Sequence, residues 1–346
     1  MKILENIPLA PLTTFKVGGP ARFFVKAETG EQVVEAFEYA AQRGLEVFVL
    51  GGGSNILVSD AGFDGLVIQI ASKGRVIYFE DQKVVRIAVK AGEDWDAFVE
   101  YCVSHDLAGI ECLSGIPGSI GGTPVQNVGA YGQEVSETIV SVKCFDRHAG
   151  NIVELSNGDC GFAYRKSIFN STERGRYVVL EVRFELKKKA GPKVEYKDLK
   201  EIFADREPTL SEARSGVLGI RRAKSMVIDA SDPNSRSAGS FFKNPIVAAA
   251  EAERFENAPS FPAGDGNVKI PAAWLIEQAG FQKGFRLGNA GISANHSLAL
   301  VNFGGAKAAE IVELKNVIQA AIKDKFGIDL QPEPIFVGFS DGKNLQ

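Results

Sequence analysis

The 346-residue chain is poor in the residues that bind metals or cross-link, with three histidines, four cysteines and two methionines. His105, His148 and His296 are scattered, and none stands at ligand spacing from a cysteine or an acid, so no metal chemistry is expected. Cys102, Cys112, Cys144 and Cys160 form no CxxC pair and no zinc-type pattern. Reduced, buried thiols and a cytoplasmic location are the expectation. No apolar run approaches the roughly 18 residues of a membrane span, so membrane insertion is not expected. Glu5, Asn6, Pro8 and Pro11 interrupt the first residues, which therefore do not read as a signal peptide. Positive charge is also in deficit: 39 Lys and Arg against 43 Asp and Glu give a net charge of −4. That balance lacks the basic footprint of a nucleic-acid binder. An anionic ligand would have to be met by a local cationic cluster.

What is present suits a sizeable globular core, 45% hydrophobic and 24% charged, at a length that suggests two or three domains. Thr29-Gly-Glu-Gln32 reads as a capping box opening a helix with Val33, Val34, Phe37 and Ala41 on one face and Gly44 as its stop. The apolar run Glu46–Leu50 reads as a strand that feeds a glycine loop. Strands are expected at Gly65–Ile70 and Val84–Val89, followed by a helix capped by Asp94 and carrying Trp95, Phe98, Val99 and Cys102. Further strands are expected at Ile139–Phe145, Ile152–Leu155 and Tyr177–Leu186, and the polar run Lys187–Pro192 marks the edge of this first region. Beyond it come a helix near Ser211–Lys224, a loose polar linker, and a helix over Pro271–Gln278 with proline in its first turn. The last long helix, Lys307–Phe326, presents Ile311, Leu314, Ile318, Ala321 and Ile322 on one face, ends at Gly327, and precedes a strand at Pro334–Val337.

Five segments carry chemistry. In Gly51-Gly52-Gly53-Ser54-Asn55 the backbone N–H groups are free to approach phosphate oxygens, although position 56 is Ile and no Rossmann or Walker pattern is completed. A tight structural turn is the alternative. Six glycines lie among the 20 residues Leu113–Gly132, far above the ~7% background. So little side chain suggests a backbone packed against a flat or anionic ligand, and two such loops suggest a ligand of dinucleotide size. Arg165, within Gly161–Phe169, sits among aromatic and apolar residues where its fork suits a carboxylate or phosphate. Ser240, within Ser237–Pro245, lacks the partners of a hydrolytic nucleophile and fits better as a proton donor. Glu333 lies between Pro332 and Pro334, which fix its backbone.

Taken in this order, the five segments resemble the UDP-N-acetylenolpyruvoylglucosamine reductase family, from Pro11-Leu-Thr-Thr-Phe-Lys-Val-Gly-Gly19 to Glu333. The resemblance implies an α+β architecture: a two-subdomain FAD-binding fold of the vanillyl-alcohol-oxidase and p-cresol-methylhydroxylase type, then a C-terminal α+β substrate domain. The implied ranges are 1–70 and 71–210 for the FAD subdomains, 211–330 for the substrate domain, and 331–346 for a segment returning to the active site. Gly51, Gly52, Gly53, Ser54 and Asn55, with Ser114, Gly115, Gly118, Ser119, Ile120 and Gly121, match the loops that hold the FAD pyrophosphate. Asn127 and Gly129 match flavin-contacting positions. Tyr131, Tyr164, Tyr196, Lys224, Asn244 and His296 match substrate-contacting positions, and Lys193–Asp198 resembles the tyrosine-bearing insertion of the longer subtype. Arg221-Arg-Ala-Lys224 supplies the local cationic cluster, while the Ser225–Arg236 linker is longer and more polar than the family pattern.

The implied reaction is NADPH-dependent reduction of UDP-N-acetylglucosamine enolpyruvate to UDP-N-acetylmuramate through FAD, for peptidoglycan precursor synthesis. Ser240 is the implied proton donor, and Arg165 and Glu333 stabilise the enolate. Neither glycine loop contains His or Cys, apart from Cys112 at a margin, so non-covalent FAD is expected. A monomer acting on its sugar nucleotide with NADPH is the expected working form. A flavin oxidase of the same fold and a non-catalytic binding protein are the competing readings.

Overall fold

The structure is a computed structural model that describes residues 1–204, 206–255 and 257–339. The chain packs as two discontinuous units. The first comprises Met1–Ile7, Ala21–Gly53 and Asp64–Ala223; the second comprises Pro8–Pro20, Ser54–Phe63 and the chain from Lys224 onward. These units cut across the ranges expected from the sequence. Of the segment 331–346, expected to return to the active site, residues 331–339 are described and 340–346 lie outside the described residues.

In the first unit, a four-stranded sheet has the order Leu4–Pro8, Pro20–Ala27, Phe63–Ile70, Val47–Leu50. The last two run parallel, with Val47 opposite Leu66. Helix α1, Gly30–Arg43, is capped by Thr29, which accepts the Gln32 N–H at 3.3 Å, and is stopped by left-handed Gly44 (φ 62°). Its fully buried face is Val33, Ala36 and Ala40; Ala41, expected inside, is exposed because it lies a quarter-turn off that line.

An antiparallel sheet completes this unit, in the order Asn151–Ser156, Ile139–Asp146, Tyr177–Lys188, Val84–Lys90, Arg75–Glu80. Register places Val182, Phe184 and Leu186 opposite Val89, Ile87 and Val85, all six buried. Helix α2, Trp95–Ser104, lays Trp95 and Phe98 on that face, their rings 6.1 and 5.1 Å from Phe184. Asp94 caps α2 by accepting the Ala97 N–H at 2.9 Å. The first unit does not end at Lys187–Pro192. Helices α3 (Lys197–Phe203) and α4 (Leu210–Ala223) also belong to it, because Leu199, Phe203 and Val217 are buried with Cys112.

The second unit has its own core. Phe15, Val17 and Leu57, delivered by the two early excursions, pack with Phe241, Phe242, Ile270, Leu300 and the apolar faces of the later helices. A short helix α5, Ala249–Ala252, precedes α6, Ala272–Gln278. Pro271 caps α6 in an extended conformation (ψ 119°) and does not enter its first turn. Helix α7, Ala308–Phe326, buries Ile311, Leu314, Ile318 and Ile322 and ends at Gly327 (φ 72°). Its first N–H groups are capped by Asp60, whose carboxylate accepts from Ala308 at 2.8 Å and Ala309 at 3.0 Å. The final strand, Ile335–Val337, runs parallel to Ile56–Val58.

Two expected outcomes follow. Arg176 grips the shielded carboxylate of Asp146 through Nε and Nη2, the shortest contact being 2.7 Å, and holds its pKa at about 2, below the ordinary 3.8. A depressed folded-state pKa adds stability above the unfolded value and loses it as pH falls through the folded one. The melting temperatures of wild type and Asp146→Asn should therefore differ at neutral pH and converge between about pH 4 and pH 2. The four thiols are buried, and burial pushes Cys112 and Cys160 up to about 12 and raises Cys102 and Cys144 too. A maleimide should label none of them in the native protein at neutral pH and all of them after unfolding.

Candidate active site

The two glycine segments meet within the first unit. A Cβ on Gly52 would stand 2.6 Å from the Cα of Gly118, and one on Gly51 would stand 2.9 Å from Ser119 Oγ. Only glycine lets the two backbones touch in this way. The second segment lies along Ala91–Trp95: Trp95 N–H donates to Gly118 O at 3.1 Å, Ile120 N–H to Glu93 O at 2.9 Å, and Gly121 N–H to Ala91 O at 2.8 Å.

Three consecutive residues anchor its entry. The buried indole N–H of Trp95 donates to Leu113 O at 3.0 Å, Ser114 Oγ donates to Glu111 O at 2.6 Å, and the Gly115 N–H donates to the Asp96 carboxylate at 2.6 Å. The Ser114 hydroxyl is thus committed inside the protein. Ser119 differs, since its buried Oγ has no hydrogen-bond partner among the described residues. A buried hydroxyl in that state is matched by an acceptor such as a phosphate oxygen. Two bare backbones and one such hydroxyl fit the pyrophosphate of a dinucleotide cofactor.

Arg165 lies in a tight turn closed by reciprocal hydrogen bonds between Ala163 and Lys166, at 2.9 and 3.0 Å. Buried Asn127 braces that turn: its Nδ2 donates to Ala163 O at 3.1 Å and to Glu134 at 2.7 Å, and its Oδ1 accepts the Ser136 N–H at 3.1 Å. The guanidinium carbon of Arg165 is 5.5 Å from the Tyr164 ring centre, and Nη1 stands 3.4 Å from where a Cβ on Gly129 would lie. Asn127, Gly129, Tyr164 and Arg165 therefore gather in one place. Asn127, Tyr131 and Arg165 have φ of 46°, 49° and 54°. Left-handed backbone at non-glycine residues costs about 1–3 kcal/mol each and collects at functional sites.

Tyr131 and Tyr196 meet edge to face, with ring centres 5.3 Å apart. The stretch leading to Tyr196 is latched by the buried Glu111, which accepts the Lys193 N–H at 2.9 Å and the Gln133 amide at 2.6 Å. Arg221 is buried beside Tyr131; burial lowers its pKa, while Tyr131 and Asp96 act to raise it.

In the second unit, Ser240 and Glu333, distant in sequence, come onto paired stretches. Glu333 N–H donates to Phe241 O at 2.8 Å and Lys243 N–H donates to Gln331 O at 2.9 Å, with Phe242 opposite Pro332. Phe241 and Phe242, within this pairing, are buried, with their rings edge-on at 5.2 Å. Asn55 holds the other side of Glu333 by donating from Nδ2 to its carbonyl at 3.3 Å. Ser54 also falls in this unit, so the division between the units cuts the first glycine loop.

The polar linker is tied down by side-chain hydrogen bonds. Ser225 Oγ donates to Asp232 at 2.5 Å and accepts from Asn295 Nδ2 at 2.8 Å, which ties the residue after Lys224 to the residue before His296. Asn244 Oδ1 accepts the Ala272 N–H at 2.9 Å and so caps α6, leaving its Nδ2 for other partners. Sequence reasoning missed Asp96, Glu111, Arg214 and Arg221 as supports of this site. Arg221 had a signal in the basic cluster; the others act through partners far away in the chain.

The chain is similar to known proteins along nearly its whole length. Residues 21–156 match the FAD-binding-domain model, and residues 232–337 match the model of the UDP-N-acetylenolpyruvoylglucosamine reductase C-terminal domain. The UDP-N-acetylenolpyruvoylglucosamine reductase of Thermobifida fusca is 46% identical over 96% of this chain and 98% of its own. That of Streptomyces coelicolor is 45% identical, over 97% and 90%. The crystal structure of the Thermus caldophilus enzyme superposes with a TM-score of 0.68 at 27% identity, covering 97% of this chain and 99% of that one. The expected architecture, an α+β FAD-binding fold followed by a distinct C-terminal domain, is the one found. This chain belongs to the UDP-N-acetylenolpyruvoylglucosamine reductase family.

Proposed function

We propose that this chain catalyses the NADPH-dependent reduction of UDP-N-acetylglucosamine enolpyruvate to UDP-N-acetylmuramate, a step of peptidoglycan precursor synthesis, with Ser240, Arg165 and Glu333 as its catalytic residues. Family membership supports the reaction. The observation that carries the residue assignment is the backbone pairing of Phe241 with Glu333, which sets a hydroxyl and a carboxyl group on neighbouring stretches. FAD, when bound, supplies the hydride that NADPH has given it. The residues that fit its pyrophosphate are Gly51–Gly53 and Ser114–Gly121, with Ser119 Oγ as a donor.

Addition of hydride to the terminal carbon of an enolpyruvyl ether shifts the π pair onto the adjacent carbon and its carboxylate. Arg165 meets that carboxylate with parallel N–H donors, and its turn holds the guanidinium in place before the charge develops. Glu333, with both its N–H and its carbonyl hydrogen-bonded, presents its carboxyl group from a fixed backbone. Ser240 gives its hydroxyl proton to the carbanionic carbon and regains one from solvent, which completes the lactyl ether. Tyr131, Tyr164, Tyr196, Lys224, Asn244 and His296 bind the sugar nucleotide in this reading. The four free, buried thiols support a cytoplasmic location, and a single chain is the working unit.

Ser240→Ala should leave NADPH bleaching of the flavin band nearly unchanged and slow its return with the enolpyruvyl sugar by about 10²–10⁴-fold in anaerobic stopped flow. Equal losses in both half-reactions would remove Ser240 from the mechanism. Arg165→Met should lower kcat for the sugar by about 10²–10³-fold, the usual loss of one preorganised donor to a developing oxyanion. An unchanged kcat with a raised KM would make Arg165 a ground-state binding group only.

A further inference from the structure

We infer that Asp96 and Arg214 are positioning residues for the cofactor loop: the pair fixes the peptide at Gly115 and neutralises the carboxylate that fixes it. This rests on the reading that the Ser114–Gly121 segment holds FAD. Asp96 stands in the first turn of α2 and Arg214 in α4, 118 residues apart in the chain. Their contact is bidentate, Nη1 to Oδ1 at 2.6 Å and Nη2 to Oδ2 at 2.9 Å. The arginine side chain keeps only 11% of its exposure. Asp96 Oδ1 also accepts the Gly115 N–H at 2.6 Å, so one carboxylate oxygen is shared between the guanidinium and the loop.

Gly115 has φ 71° and begins the turn that delivers Gly118 and Ser119 to the cradle. The anchors on Leu113 and Ser114 are bonds between neutral groups, whereas the one on Gly115 is made to a charge. Charge-assisted hydrogen bonds are shorter and about twice as strong as neutral ones. A bare carboxylate bonded to a pyrophosphate-binding loop at Gly115, three residues before Gly118, would repel the anion. The bidentate arginine removes that repulsion and also fixes the orientation of the carboxylate. Burial tends to raise the pKa of Asp96, but the Arg214 and Gly115 hydrogen bonds outweigh it and keep the group ionised.

The test uses the full-length protein, stripped of flavin and titrated with FAD by fluorescence. Asp96→Asn is isosteric and leaves an acceptor for Gly115; Arg214→Lys keeps the charge but loses the fork. The inference predicts that each raises the FAD dissociation constant by about 10–100-fold, since breaking one side of a shielded ion pair leaves an uncompensated group. It predicts too that the double variant is no worse than the more affected single one, because the two act as one unit. A flavin-free melting temperature that falls while FAD affinity stays within twofold of wild type would mean that the pair serves stability alone, and would overturn the inference. Additive losses in the double variant would overturn it as well. A wild-type chain that takes up no FAD would instead defeat the proposed function, so the two failures are distinguishable.

Discussion

Contact between two bare backbones at Gly52 and Gly118 is the constraint on which the cofactor region depends. A methyl group at position 52 would have to occupy the space of the Gly118 Cα. Everything around that contact holds the two loops at that separation. Trp95 and Phe98 wedge α2 against Phe184, and the same α2 supplies the Trp95 indole and the Asp96 carboxylate that pin residues 113 and 115. The apolar core and the cradle are therefore parts of one structure. Loosening the packing at Phe184 would move the loop.

The second unit solves a different problem, that of bringing the stretches that carry Ser240 and Glu333 side by side. Its means are backbone pairing and proline. Pro332 and Pro334 restrict the chain on either side of Glu333, buried phenylalanines anchor its partner stretch, and Asn55 takes the remaining carbonyl. Ser225, Asp232 and Asn295 do the same for the surroundings of Lys224 and His296 with side-chain hydrogen bonds. Polar sequence that looks loose is here a local network closed by Asx-type turns.

Helices were the most legible elements, because caps and periodicity are local. Thr29 with Gln32, Asp94 with Ala97, and Gly327 after Phe326 bound their helices as expected. The strand Arg75–Glu80 was missed, since all six residues are exposed and no inside–outside alternation marks it. Pro20–Ala27 was missed as well; its proline stands at the first position of the strand, where a missing N–H costs no ladder bond. Within the site, glycine density revealed the two loops, but not that they touch one another. The link from Asp96 to Arg214, and that from Glu111 to Lys193, left no trace in the sequence, because neither residue has a neighbour in the chain that hints at its partner. Placing the boundary near residue 210 also failed for that reason: α4 reads as the start of something new, yet its buried face belongs with Leu199, Phe203 and Cys112.

The discontinuity of the two units bears on how the molecule is made. Phe15, Val17 and Leu57 leave the ribosome early, but their packing partners begin at Ala238 and run to Phe336. At about 5–20 residues per second, those apolar side chains wait on the order of ten seconds or longer before their core exists. The first unit, by contrast, has all of its residues synthesised once Ala223 is added. Synthesis from the amino end thus completes the chain of the first unit before that of the unit that carries Ser240. No single cut in the chain would release either half as a continuous fragment.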